Sequence, residues 1–109
     1  MVGEGYNVGS SIMFEIEIRQ ADGNRTVLIE KSEVVLGREQ SRVDVDLNPD
    51  TSVSRVHARV WHSDAGIQIE DLNSSVGTIV NGDTLQTATV IQPTDVIHLG
   101  ETVVRILSK

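Results

Sequence analysis

The sequence predicts an all-β domain, an antiparallel sandwich or barrel. Three observations predict it: short apolar runs recur along the chain, turn residues separate them, and no sustained 3.6-residue pattern occurs. At 109 residues the chain has the common size of one domain, and it can bury about two-thirds of its unfolded surface without covalent staples.

Residues 1–11 carry Gly3, Gly5, Gly9, Ser10 and Ser11 with no periodic apolar face, the composition of a flexible tail. The domain is expected over residues 12–109. Ile12, Phe14, Ile16 and Ile18 alternate with Met13, Glu15, Glu17 and Arg19, the period of a strand with one buried face. Asp22-Gly23-Asn24 is a turn signal leading into a strand over residues 26–31. Further strands are expected at 34–36, 43–47 and 56–60, then, beyond the Asp64-Ala65-Gly66 turn, at 67–69, 78–80, 96–99 and 103–107. Asn81-Gly82-Asp83 and Gly100-Glu101 are the later turns. The total is about ten short strands, with no internal repeat and no second domain.

Composition excludes several function classes. Sixteen Asp and Glu oppose nine Lys and Arg, a formal net charge of −7 that repels nucleic acid and anionic membrane. Cysteine is absent, which removes disulfides, thiolate zinc sites and thiol nucleophiles and suits a reducing, cytoplasmic setting. No apolar run reaches the length of a membrane-spanning helix, and the first residues lack the pattern of a signal peptide. Tyr6, Phe14 and Trp61 are the only aromatic residues, poor material for stacking platforms.

In a β-sandwich the loops at one end carry function, so polar clusters at strand ends are the informative ones. There are three: Leu36-Gly37-Arg38, Ser54-Arg55-Val56-His57, and residues 71–78 (Asp-Leu-Asn-Ser-Ser-Val-Gly-Thr), followed by Asn81-Gly82. Arg38 offers a fork of donors suited to a phosphate, Ser54 and Ser75 are short hydroxyl donors, and amides near Gly77 can form an anion-binding nest. Singly, each has a plainer reading, because loop serines cap turns and a surface arginine is solvated.

In this order, spaced by about sixteen and about fourteen residues, the three clusters together with Ile97-His98-Leu99-Gly100 resemble the signature of the forkhead-associated (FHA) domain. The resemblance runs from Phe14 to Leu107. It implies an eleven-stranded β-sandwich of SMAD/FHA-like type whose end loops bind phosphothreonine in partner proteins. By the same resemblance Arg38 pairs with the phosphate, Ser54 and Ser75 donate to it, and Arg55 and Asn81 join the phosphopeptide site. Gly37, His57, Gly77 and Thr78 shape the loops, and Arg42, Ser52, Val76 and Glu101 stand in loops that set selectivity. Arg42 would attract acidic flanks and Glu101 basic ones, so charge selects neither.

Val76 departs from the family pattern, which commonly has at this position an Asn that holds the peptide backbone. The grip on the backbone is expected to be weaker or to come from Asn73 or Asn81. The resemblance implies an adaptor in Ser/Thr kinase signalling that is monomeric, non-catalytic and free of cofactors and metals. The first threonine is Thr26, so residues 1–11 are not expected to present phosphothreonine to the site.

Three rival readings rest on the same residues. Ser54, His57 and Asp71 supply the residue types of a hydrolytic triad, but no Gly-x-Ser-x-Gly elbow occurs. His57, His62 and His98 lack the close spacing of a zinc motif, and Asp44, Asp46, Asp50 and Asp71 are carboxylates of the calcium-binding type, but Asp44 and Asp46 alternate as on a solvated strand face. The strongest rival, motivated by Val76, is a phosphate-independent interaction module of the same fold. Trp61 lies opposite the Val56, Ala58 and Val60 face and is expected to pack at the core or its rim.

Overall fold

The computed structural model describes residues 13–108. Among these residues there are eleven strands: β1 (Phe14–Gln20), β2 (Gly23–Ile29), β3 (Glu33–Gly37), β4 (Val45–Asp46), β5 (Ala58–Ser63), β6 (Gly66–Asp71), β7 (Thr78–Val80), β8 (Asp83–Thr84), β9 (Thr89–Val90), β10 (Ile97–Leu99) and β11 (Thr102–Ser108). They form a five-stranded sheet in the order β9-β6-β5-β3-β4 and a six-stranded sheet in the order β2-β1-β11-β10-β7-β8. No strand belongs to both sheets, so the architecture is a sandwich and not a barrel. One strand pair is parallel, β3 with β4 (Leu36 opposite Val45), and the other pairs are antiparallel.

The period-2 patterns become the two inner faces. Phe14, Ile16 and Ile18 of β1, Ile97 and Leu99 of β10, and Val104 and Ile106 of β11 point inward from one sheet. Val34 and Leu36 of β3, Ala58 and Val60 of β5 and Ile69 of β6 meet them from the other, in one buried cluster. Each large aliphatic side chain so buried contributes about 1.5–3 kcal/mol. The alternate residues face out and pair across strands. Glu17 opposes Arg105 and bridges to it at 3.3 Å, and Arg59 opposes Glu70.

Several boundaries differ from those expected, for local reasons. The first strand starts at Phe14; Ile12 and the expected tail, residues 1–11, lie outside the described residues. β1 and β2 pair down to Gln20 opposite Gly23, so the turn is Ala21-Asp22. Gly23, at φ 139°, is already the first residue of β2, where a side chain is rarely tolerated. The strand expected over 43–47 shrinks to Val45–Asp46, because the Asp44 carboxylate itself accepts a hydrogen bond from the Val35 amide at 2.8 Å. β8 and β9 are pairs of exposed residues and carry no alternating apolar signal. Trp61 is half-buried on the outer face of β5, under the Arg59 guanidinium, 4.1 Å from the ring centroid. Among the described residues no helix is long and apolar enough to cross a membrane.

Candidate functional site

Three loops meet at one end of the sandwich. They follow β3 (residues 38–44), precede β5 (residues 47–57) and join β6 to β7 (residues 72–77). The first two are stitched by backbone: the Arg38 amide donates to the Ser54 and Arg55 carbonyls at 3.2 and 3.1 Å, and the Glu39 amide donates to the Arg55 carbonyl at 3.1 Å. Gly37 is required for this approach, because an added Cβ would collide with the Arg55 carbonyl.

Arg38 is half-buried. Its Nε donates to the Val53 carbonyl at 2.6 Å, and the Arg38 carbonyl accepts from Asn48 Nδ2 at 2.7 Å. The guanidinium is thus aimed by one hydrogen bond, with its terminal nitrogens still available. Lys31, Arg42, Arg59 and Arg105 each pair with carboxylates; of the described cations that pair with none, Arg19 and Arg25 lie on β1 and β2, and Arg38 and the exposed Arg55 lie in the loops.

Ser54 and Ser75 come from different loops and meet. The Ser75 amide donates to Ser54 Oγ at 2.9 Å, and the two hydroxyl oxygens stand 3.5 Å apart. That separation is at the limit of hydrogen bonding, so both hydroxyl protons remain largely free for an added acceptor.

His57 and Asp71 hold this arrangement from below. His57 is fully buried; its Nδ1 accepts from the Ser54 amide at 3.0 Å, and its Nε2 lies 2.9 Å from the Gly77 carbonyl. Because a carbonyl only accepts, the geometry requires the neutral tautomer with the proton on Nε2. Asp71 accepts from the Ser74 amide at 2.9 Å, from the Ser74 hydroxyl and from Thr78 Oγ1 at 2.8 Å. Ser74 Oγ in turn accepts from the Gly77 amide at 2.9 Å, so Thr78 and Gly77 close the loop that presents Ser75.

Burial raises the Asp71 carboxyl, but the hydrogen bonds from Ser74 and Thr78 outweigh it and hold its pKa below the usual value. A carboxylate whose folded pKa is depressed stabilises the fold above its unfolded value of about 3.9, and that contribution vanishes as pH falls through the folded value. The difference in thermal midpoint between the wild-type chain and Asp71→Asn is therefore expected to be constant from pH 7 to about pH 5 and to narrow steadily below about pH 4. A difference that widens on acidification contradicts this sign.

The remaining expected residues are placed as follows. Arg42 pairs with Glu39 at 3.1 Å across the short 3-10 turn at Gln40–Arg42. Ser52 Oγ accepts from the Glu101 amide at 2.9 Å, which joins the loop before β5 to the Gly100-Glu101 turn. Val76 is 50% exposed. Both ends of the Asn81 amide are committed: Nδ2 donates to Asp95 at 2.9 Å and Oδ1 accepts from the Val96 amide at 2.9 Å. Asn73, at φ 60°, makes no side-chain hydrogen bond with the described residues and is the amide left available.

No nucleophile–base pair forms at Ser54, because His57 Nδ1 takes the Ser54 backbone amide. His62 stacks on Phe14 with centroids 4.5 Å apart, and among the described residues no cluster of acids and histidines is placed to hold a metal ion.

Sequence reasoning missed two supports of the site. Asp50 accepts from Ser52 N at 2.9 Å, Glu101 N at 3.0 Å and Thr102 Oγ1 at 2.7 Å, tying loop to turn. In the sequence its segment, residues 49–52, reads as a variable loop, with nothing to mark Asp50 as a brace. The Val53 carbonyl that aims Arg38 has no side-chain signature.

The family model described as FHA domain matches residues 34–100. Similar solved structures include the following. The FHA domain of the CT664 protein from Chlamydia trachomatis has a TM-score of 0.79 at 25% identity, covering 89% of this chain and 98% of that one. An FHA structure described under phosphothreonine-dependent FHA domain interactions has a TM-score of 0.73 at 29% identity, covering 86% and 94%. The FhaA FHA domain complexed with the intracellular domain of Rv3910 has a TM-score of 0.73 at 29% identity, covering 86% and 99%. No curated protein sequence matches the chain.

Proposed function

The chain belongs to the FHA domain family, and on that premise we propose that it is a phosphothreonine-dependent interaction module. It serves as a monomeric adaptor in Ser/Thr kinase signalling and performs no catalysis. The observation that carries the reading is the meeting of Ser54 and Ser75 hydroxyls, 3.5 Å apart, together with an arginine that is anchored on the Val53 carbonyl, one residue before Ser54, and that no described carboxylate neutralises. A phosphothreonine carries about −1.5 to −2 charges near neutral pH and offers three acceptor oxygens. Arg38 supplies the charge-assisted fork, the two hydroxyls supply neutral donors, and Arg55 adds a second cation at the rim. The similar structure from work on phosphothreonine-dependent FHA interactions supports the same reading.

The acidic body suits this role. At a net charge of −7 the surface disfavours nonspecific polyanions, while the local donors hold one phosphate. Asn73 is the side chain best available to grip the peptide backbone, and Asn81 supports the site through its loop.

Ser54→Ala and Ser75→Ala are each expected to weaken phosphopeptide binding by about 0.5–1.5 kcal/mol, up to about 3 where the bond reaches the charged phosphate. Ser54→Ala is the more damaging of the two, because Ser54 Oγ also accepts the Ser75 amide. Calorimetric titration of the two variants with one phosphothreonine peptide checks the order. The reading itself is tested by capture on the immobilised chain of a degenerate phosphothreonine peptide library, split into untreated and phosphatase-treated halves. Capture of the untreated half alone is expected; equal capture of both halves refutes phosphate dependence.

A further inference from the structure

We propose that Val76 is a specificity-determining residue that selects an apolar side chain in the ligand, within two residues of the phosphothreonine. The inference rests on the phosphothreonine reading above and specifies which ligands that site prefers. Val76 directly follows Ser75, one of the two hydroxyls at the centre of the site, and is 50% exposed. Only Leu28 is a more exposed large apolar residue among those described, and it lies on β2, away from the three loops.

The loop that carries Val76 is fixed on both sides. Ser75 is tied to Ser54 through its amide. The Gly77 amide is held by Ser74 Oγ and its carbonyl by buried His57. Gly77 sits at φ 84°, a left-handed conformation that glycine adopts without strain and that sets the turn directly after Val76. A β-branched side chain also has few rotamers to lose on binding. The result is a rigid apolar knob beside the phosphate site, which binds with little entropic cost.

The side chain has no hydrogen-bonding atom, so whatever it recognises is recognised by burial. An extended ligand advances about 3.4 Å per residue, so with the phosphate at Ser54 and Ser75 only side chains within about two residues of the phosphothreonine reach the neighbouring Val76. Covering the exposed half of a valine corresponds to about three- to tenfold in affinity.

The test is selection from a phosphothreonine library with degenerate flanks, run on the wild-type chain, Val76→Thr and Val76→Asn. Thermal midpoints should be nearly equal, because the residue is half in solvent. The wild-type chain is expected to enrich Val, Ile, Leu or Met at one position within two residues of the phosphothreonine. Val76→Thr, which keeps the shape, and Val76→Asn should both lose the enrichment. The best apolar-flanked peptide should bind Val76→Thr about three- to tenfold more weakly, while its alanine-flanked analogue binds wild type and Val76→Thr alike; Val76→Asn, which adds an amide able to hold the peptide backbone, is read only by its ratio between the two peptides, which should fall to about one. Phosphate-dependent capture with no apolar enrichment, or with enrichment that the Val76 variants retain, overturns the inference and leaves the phosphothreonine reading intact. Capture indifferent to phosphate overturns both.

Discussion

Arg38→Ala is expected to weaken phosphothreonine-peptide binding by about 2–5 kcal/mol, the cost of removing one partner of a desolvated, hydrogen-bonded charge pair. That corresponds to a loss of about thirtyfold to several thousandfold in affinity, the largest effect of any single side chain at the site. The reason is positional. Arg38 Nε is spent on the Val53 carbonyl, so the guanidinium is oriented before a ligand arrives, and no described carboxylate competes for it. Arg38→Lys keeps the charge but cannot hold that carbonyl and present a planar fork together, so it should recover only part of the loss. The fold should survive, because the side chain lies at the surface and its backbone bonds to Ser54 and Arg55 are retained. Calorimetry with one phosphothreonine peptide reads the affinity, and thermal melting reads the fold. Unchanged affinity in Arg38→Ala removes the arginine from the site.

The second large effect is on stability. His57→Ala is expected to cost at least about 3 kcal/mol, because it orphans the Ser54 amide and the Gly77 carbonyl, at about 1–3 kcal/mol each, and leaves a cavity besides. Against a total stability of about 5–15 kcal/mol for such a domain, that is a large fraction. The effect extends to binding. His57 is the fully buried group that joins the loop of Ser54 to the loop of Ser75, so the two hydroxyls lose their common support. Urea midpoints should fall strongly for His57→Ala and less for His57→Gln, whose amide can both accept and donate. If His57→Ala melts like the wild-type chain, the histidine does not brace the loops.

Much of this was legible in the sequence because the core strands are regular. The alternation in residues 14–18 and 103–107 becomes the inner faces of β1 and β11, and period-2 burial leaves one workable register. β8 and β9 were not legible: they are two-residue strands of exposed side chains that exist only because a neighbouring strand supplies backbone partners. At the proposed site, Arg38, Ser54, Ser75 and His57 are picked out in the sequence by residue type and order. What sequence could not convey is division of labour among similar groups. Asn73 and Asn81 are the same residue in neighbouring loops, yet one amide is available and the other is bound to Asp95 and Val96. Arg42 and Arg55 are both cations near the site, yet Arg42 is paired with Glu39. Such differences arise from tertiary geometry and leave no local trace.

The most direct test of phosphothreonine recognition is an amide-resolved NMR titration of the chain with a degenerate phosphothreonine peptide library, beside the unphosphorylated library and the Arg38→Ala protein. Shifts concentrated at Arg38, Ser54, Arg55 and Ser75 are predicted, absent with unphosphorylated peptides and lost in Arg38→Ala. A spectrum that does not move at millimolar phosphopeptide, or that moves equally with both libraries, contradicts the account.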